Sequence, residues 1–108
     1  MATGMLIEFN EMDEKRYERV NELLALYQNP PKGLLFHSAG PIANGWRVFD
    51  IWESKEAFDQ FLKERLQTAL QQAGITGRPA RQEFFPIHNV YAPQPNVLTK
   101  IGAAAAHR

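Results

Sequence analysis

His37, Asp50 and His88 are side chains of types that suit proton chemistry. An imidazole titrates near neutrality, and a carboxylate beside it orients the ring and stabilises its charged form, so a His–Asp pair in a pocket can serve as a general base. Asp50 lies in the run GWRVFDIWESKEAFDQF, where Trp46, Val48, Asp50 and Trp52 recur at every second position. A strand there places a carboxylate between two indoles on one face. Trp46, Val48 and Trp52 would then wall a site for a small hydrophobic or aromatic ligand, since such pockets are mostly apolar with a few placed polar groups. The competing reading is structural: a hydrogen-bonded pair that fills a core, with Trp52 packing on Phe58 at the strand-to-helix corner.

Other chemistries find less support. His37, His88 and Asp50 would make a two-His, one-carboxylate metal set, but they are scattered and form no tight local motif, so no metal is expected. There is no glycine-rich phosphate loop, no serine-nucleophile motif and no HExxH, and no cofactor is expected. The absence of cysteine excludes disulfides, thiolate catalysis and Cys-ligated metals. Glu8, Asn89 and Tyr91 are lesser polar candidates whose facing depends on strand parity. The run DEKRYER reads as the solvated side of a helix.

Positioning His37 against Asp50 requires particular elements. Met5–Phe9 alternates as a first strand, and Asn10–Asp13 offers cap chemistry for a helix from about Asp13 to Gln28, with Tyr17, Val20, Leu23, Leu24 and Tyr27 at helical spacing. The NPPKG segment must end that helix. Leu34–Ala39 and Gly45–Glu53 are the second and third strands, with the Asn-Gly signal of a hairpin between them. Ser54 caps a second helix carrying Phe58, Phe61, Leu62, Leu66 and Leu70, which runs to about Gln72 or Ala73 before Gly74. A fourth strand covers Arg81–Tyr91, and Pro86 within it favours an edge or a bulge.

The order βαββαβ implies an α+β, ferredoxin-like domain over residues 1–92: a four-stranded antiparallel sheet with two helices on one face. Residues 93–108 read as a C-terminal arm or flexible tail. Strand parity then groups the candidates. A two-residue turn at Asn44-Gly45 sets His37 opposite Trp52, whereas a four-residue loop from Ile42 to Gly45 sets it opposite Asp50. Either way His37, Asp50 and Trp52 share a face. A regular fourth strand would turn His88 toward the same interior. Both faces of the third strand carry large apolar groups, so the second face is expected to be covered by another sheet or by a ligand.

At 108 residues with 44% hydrophobic and 22% charged residues, the chain is one globular domain of a size that gains core from a partner subunit. Zero net charge gives no electrostatic pull toward nucleic acid or an anionic membrane. With neither a signal-peptide pattern nor a membrane-length apolar run, a cytoplasmic protein is expected.

The strand Val-Phe-Asp-Ile-Trp-Glu-Ser running into Lys-Glu-Ala-Phe-Asp-Gln-Phe resembles the signature of the dimeric α+β barrel superfamily, in particular its antibiotic biosynthesis monooxygenase-like proteins. The resemblance spans about residues 5–91, and EFFPIHNVY looks like the terminal strand of small members with no assigned role. It implies a homodimer in which two sheets pack into a barrel, with the Trp46–Trp52 face turned inward to line a cavity. It also implies cofactor-independent chemistry as one option, a monooxygenase or polyketide cyclase with His37 as base and Asp50 orienting it. Haem-degrading members use a helical His, and neither expected helix contains one.

Overall fold

The structure is a computed structural model, described for residues 1–94, 96–98 and 101. Four antiparallel strands form one sheet in the order β2-β3-β1-β4: β1 Thr3–Phe9, β2 Leu34–Ile42, β3 Gly45–Trp52 and β4 Arg81–Pro86. Helix α1 (Glu14–Leu24) follows β1. Between β3 and β4, α2 (Lys55–Phe61) passes through a π-helical turn at Leu62–Leu66 into α3 (Gln67–Gln72). This is the ferredoxin-like α+β arrangement, with the helices against one side of the sheet.

Local chemistry sets the element boundaries. The Asp13 side chain accepts the Arg16 backbone N–H at 2.9 Å and opens α1, and Ser54 Oγ accepts from Ala57 N at 3.1 Å and opens α2. Helix α1 ends at Leu24, four residues before the expected Gln28, because Ala25 takes a left-handed conformation with φ 50°. From the π-helical turn, the Arg65 guanidinium donates to the Leu24 carbonyl at 2.7 Å and to the Asn29 carbonyl at 2.8 Å, which satisfies the early helix end and ties down the loop beyond it. β4 ends at Pro86 rather than Tyr91. Pro86 pairs with Thr3 on the edge strand, where its missing N–H breaks no ladder.

The core lies between sheet and helices. Met5, Ile7 and Phe9 of β1 and Trp46 and Trp52 of β3 are buried against Val20, Leu24, Phe58 and Ala69, with Val48, Leu66 and Leu70 packed around them. Full burial of a side chain of the Phe58 or Met5 kind stabilises a fold by about 1.5–3 kcal/mol. The opposite face is also largely apolar: Leu6, Phe36, Phe49, Ile51 and Phe85 lie there, with the Phe49 and Phe85 rings stacked at 6.2 Å. Gly4 makes room for that stack, because a Cβ there would sit 2.3 Å from the Phe85 ring. At the other end of this face Glu8 accepts from Arg47 at 2.8 Å, with Arg81 3.7 Å away.

The placement of the two faces differs from the barrel expectation. Trp46, Val48, Asp50 and Trp52 are covered by the chain's own helices, not turned toward a second sheet; the face left open is that of Phe49 and Phe85. Most of the expected tail, residues 93–108, lies outside the described residues; Val97 and Leu98 form part of a short helical turn.

Candidate functional site

The β2–β3 register decides the geometry around Asp50. Ile42 pairs with Gly45 across a turn at Ala43-Asn44, and Pro41 pairs with Trp46, so His37 falls directly opposite Asp50. Two bonds follow from that pairing. His37 Nδ1–H donates to Asp50 Oδ1 at 2.7 Å, and Asp50 Oδ2 accepts from the Trp52 indole N–H at 3.1 Å. A carboxylate can only accept, which puts the imidazole proton on Nδ1 and leaves Nε2 as an acceptor. The carboxylate lies between the indoles because both its oxygens have donors there: the ring of His37 and the N–H of Trp52.

Nε2 of His37 accepts from Tyr17 Oη, 2.5 Å away, with the two ring planes nearly parallel. Tyr17 comes from the inner face of α1, and its ring also contacts Trp46 at 5.3 Å. Burial pushes the Tyr17 phenol up to about 12, with the nearby Asn21 amide offsetting part of the rise. Tyr17 is therefore a neutral donor at physiological pH. The resulting chain runs Tyr17–His37–Asp50–Trp52, from helix to strand to strand. The His37 side chain keeps 22% of its surface against 7% for Asp50, so the imidazole joins the buried carboxylate to the outside.

Tyr17, His37, Asp50 and Trp52 line a partly open space of about 60 Å³ between the sheet and the helices. Met5, Val48, Phe61 and Leu66 make much of its wall, and Asn21 is its other polar side chain. A space of this kind holds about four to six waters or a compact organic molecule. It is well below the 300–1,000 Å³ typical of drug-sized ligands.

The sequence candidates are distributed unevenly over this site. His37, Asp50, Val48 and Trp52 come together at the cavity. Trp46 shares their face, but it packs against Tyr17 and does not line the space. His88 requires a correction: it lies beyond the end of β4 and is exposed, because the strand stops at Pro86 before its alternation can reach position 88. Asn89 and Tyr91 are likewise exposed, and Glu8 belongs to the ion cluster on the open face. Among the described residues no three His, Cys, Asp or Glu side chains converge as a metal site.

Neither Tyr17 nor Asn21 is among the site residues expected from the sequence. Tyr17 fits the apolar stripe of α1 and reads as core. The available signal was Asn21, an amide one turn on from Tyr17 and next to Val20, at a position where a helix facing a sheet ordinarily carries an apolar group.

No family model matches the chain, and no curated protein matches it significantly. Solved structures do. A candidate antibiotic biosynthesis monooxygenase of Chloroflexus aurantiacus superposes with a TM-score of 0.63 at 11% identity, covering 85% of this chain and 98% of its own. A second such candidate, from Caulobacter crescentus, gives a TM-score of 0.59 at 14% identity over 82% of this chain and 91% of its own. SnoaB of Streptomyces nogalater, a cofactor-independent oxygenase, gives 0.57 at 13% identity over 86% and 97%. The chain thus shares its ferredoxin-like α+β fold with these solved structures.

Proposed function

We propose that this protein binds a small molecule between its sheet and its helices and removes a proton from it without a cofactor, as a monooxygenase or cyclase acting on an aromatic or polyketide-like substrate would. The observation that carries this reading is the continuous chain Tyr17–His37–Asp50–Trp52 with Tyr17 and His37 at the cavity. His37 is the proton acceptor. Asp50 fixes its tautomer and stabilises the imidazolium that forms, and Trp52 holds Asp50 in place. Val48 and Trp52 are the apolar walls. Loss of a proton from an acidic phenol or a β-dicarbonyl leaves a delocalised carbanion. That carbanion closes onto an internal electrophile, or reacts with dioxygen so that a methylene becomes a carbonyl and water is released. The likeness to SnoaB supports this class of chemistry through the fold alone.

The working unit we propose is a homodimer. Phe36, Phe49, Ile51 and Phe85 leave an apolar sheet face uncovered in the protomer, and a second copy of that face is self-complementary under two-fold symmetry. The test is deuterium uptake or oxygen consumption with anthrone and a β-dicarbonyl in metal-free buffer. Wild type should exceed the buffer rate, and His37→Ala should return to it; full activity in His37→Ala would remove His37 from the mechanism.

A second reading has its own observation. Trp52, Phe58 and Met5 are all 1% exposed and the space beside them is small, as expected if the His37–Asp50 pair only specifies the core of a non-catalytic dimer. That reading requires wild type to accelerate none of the probes.

A further inference from the structure

Among the described residues, two buried side-chain atoms have no hydrogen-bond partner: Asn21 Nδ2 and Trp46 Nε1. Both neighbour Tyr17, Asn21 one turn along α1 and Trp46 by ring contact. Of the two, only Asn21 lines the cavity. Its residue is 9% exposed, so neither of its amide hydrogens is offered to bulk water. A helix packed on a sheet gains nothing from such a group, since leucine has nearly the same shape and leaves no donor unsatisfied. The amide eases the ionisation of Tyr17 beside it but completes no hydrogen bond to it, so it is left to donate to something that enters the cavity and brings an acceptor.

The cavity restricts what that acceptor is. No Lys or Arg lines it, and Asp50 already places a carboxylate at its wall, so a phosphate or carboxylate ligand would be buried beside a like charge with no cation. A neutral carbonyl meets neither objection. We propose that Asn21 Nδ2 holds the carbonyl oxygen of a compact enolisable carbonyl compound, and that Tyr17 Oη takes the proton from the carbon beside it. This inference rests on the proton-abstraction reading above, and adds the substrate class and the residues that meet it.

The step balances within the site. The C–H bond breaks, and its electron pair forms the C=C bond of an enolate whose charge rests on the oxygen at Asn21. The proton goes to Tyr17 Oη while the hydroxyl proton of Tyr17 passes to His37 Nε2. His37 becomes imidazolium against Asp50, so the net charge of site plus ligand is unchanged. Reprotonation follows the same path backwards. Tyr17 stands between the ligand and His37 because Nε2 is already occupied by the tyrosine hydroxyl.

Methyl acetoacetate in deuterated, slightly acidic buffer is the probe, with uptake at its central carbon followed by NMR and anthrone run in parallel. Wild type is expected to accelerate uptake. Asn21→Leu should lower that acceleration by about 10²-fold, the usual loss on removing one oxyanion donor, with a melting temperature equal to or above wild type. Tyr17→Phe should still bind the probe, seen by saturation transfer, yet lose the acceleration. An Asn21→Leu protein that keeps its rate, or one that melts well below wild type, overturns the role given to Asn21. Acceleration with anthrone but none with methyl acetoacetate overturns the substrate class and leaves the general reading standing. Acceleration with neither, from folded protein, removes both.

Discussion

Asp50 holds two donors at once, the His37 ring and the Trp52 indole, and each would be stranded without it. Asp50→Ala is therefore expected to cost about 3 kcal/mol in denaturant unfolding, in the range for breaking a buried pair from one side, whereas a loss within 0.5 kcal/mol would mean that the pair relaxes into solvent. Tyr17 carries a different signature. Its folded value of about 12 lies above the ordinary 10.0, so the fold favours the neutral phenol. That contribution is complete below pH 10 and is lost as pH rises from 10 to 12, because the unfolded chain releases the proton first. Unfolding measured across that window should show falling stability in wild type and a shallower fall in Tyr17→Phe. The period-two alternation of β3 made His37, Asp50 and Trp52 legible as one face, since both even-length turns give the same parity. Tyr17 stayed hidden because tyrosine suits a core stripe as well as a site. His88 went astray because its facing depended on how far β4 runs past Pro86, which alternation alone does not determine.

At the scale of elements, Arg65 joins the π-helical turn to the loop after α1. Its two bonds to the Leu24 and Asn29 carbonyls hold the segment that carries Leu26 and Pro31 over the cavity. Arg65→Ala should destabilise the protein by about 1–2 kcal/mol, as expected for partly exposed hydrogen bonds from a charged donor. Amide hydrogen exchange in residues 25–33 should speed up more than in β1. Uniform acceleration across both regions would show that Arg65 supports the whole fold and not this loop. The four strands and two helical regions were readable from periodicity, caps and the Asn-Gly signal. The early end of α1 and the π-helical turn were not. The first depends on an alanine in a left-handed conformation and on a guanidinium 41 residues away, and the second leaves no local composition signal.

For the whole molecule, the open sheet face is the feature that a lone protomer leaves unexplained. Phe85 is 36% exposed and stacks on Phe49 in the middle of that face, while Arg47, Glu8 and Arg81 mark its polar end. Sedimentation at micromolar concentration should give a dimer, and Phe49→Glu should give a folded monomer, because a charge would then have to be buried in an apolar interface. A wild-type monomer under those conditions would contradict the sheet-to-sheet assembly. Apolar residues on both faces of β3 signalled that both were to be covered. Which face belongs to the helices was not legible from one strand, since Trp46–Trp52 and Phe49–Ile51 are equally suited to burial. Only the packing of the helices, Phe58 foremost, on Trp52 decides it.

The most direct test of the site is a crystal structure of the protein as purified, inspected between the sheet and the helices at Tyr17, Asn21 and His37. A compact molecule or ordered water is expected there, bonded to Asn21 Nδ2 and within reach of Tyr17 Oη. A closed interior, with the Asn21 amide bonded to protein atoms and Tyr17 turned away from His37, would contradict that expectation and reduce the His37–Asp50 pair to packing.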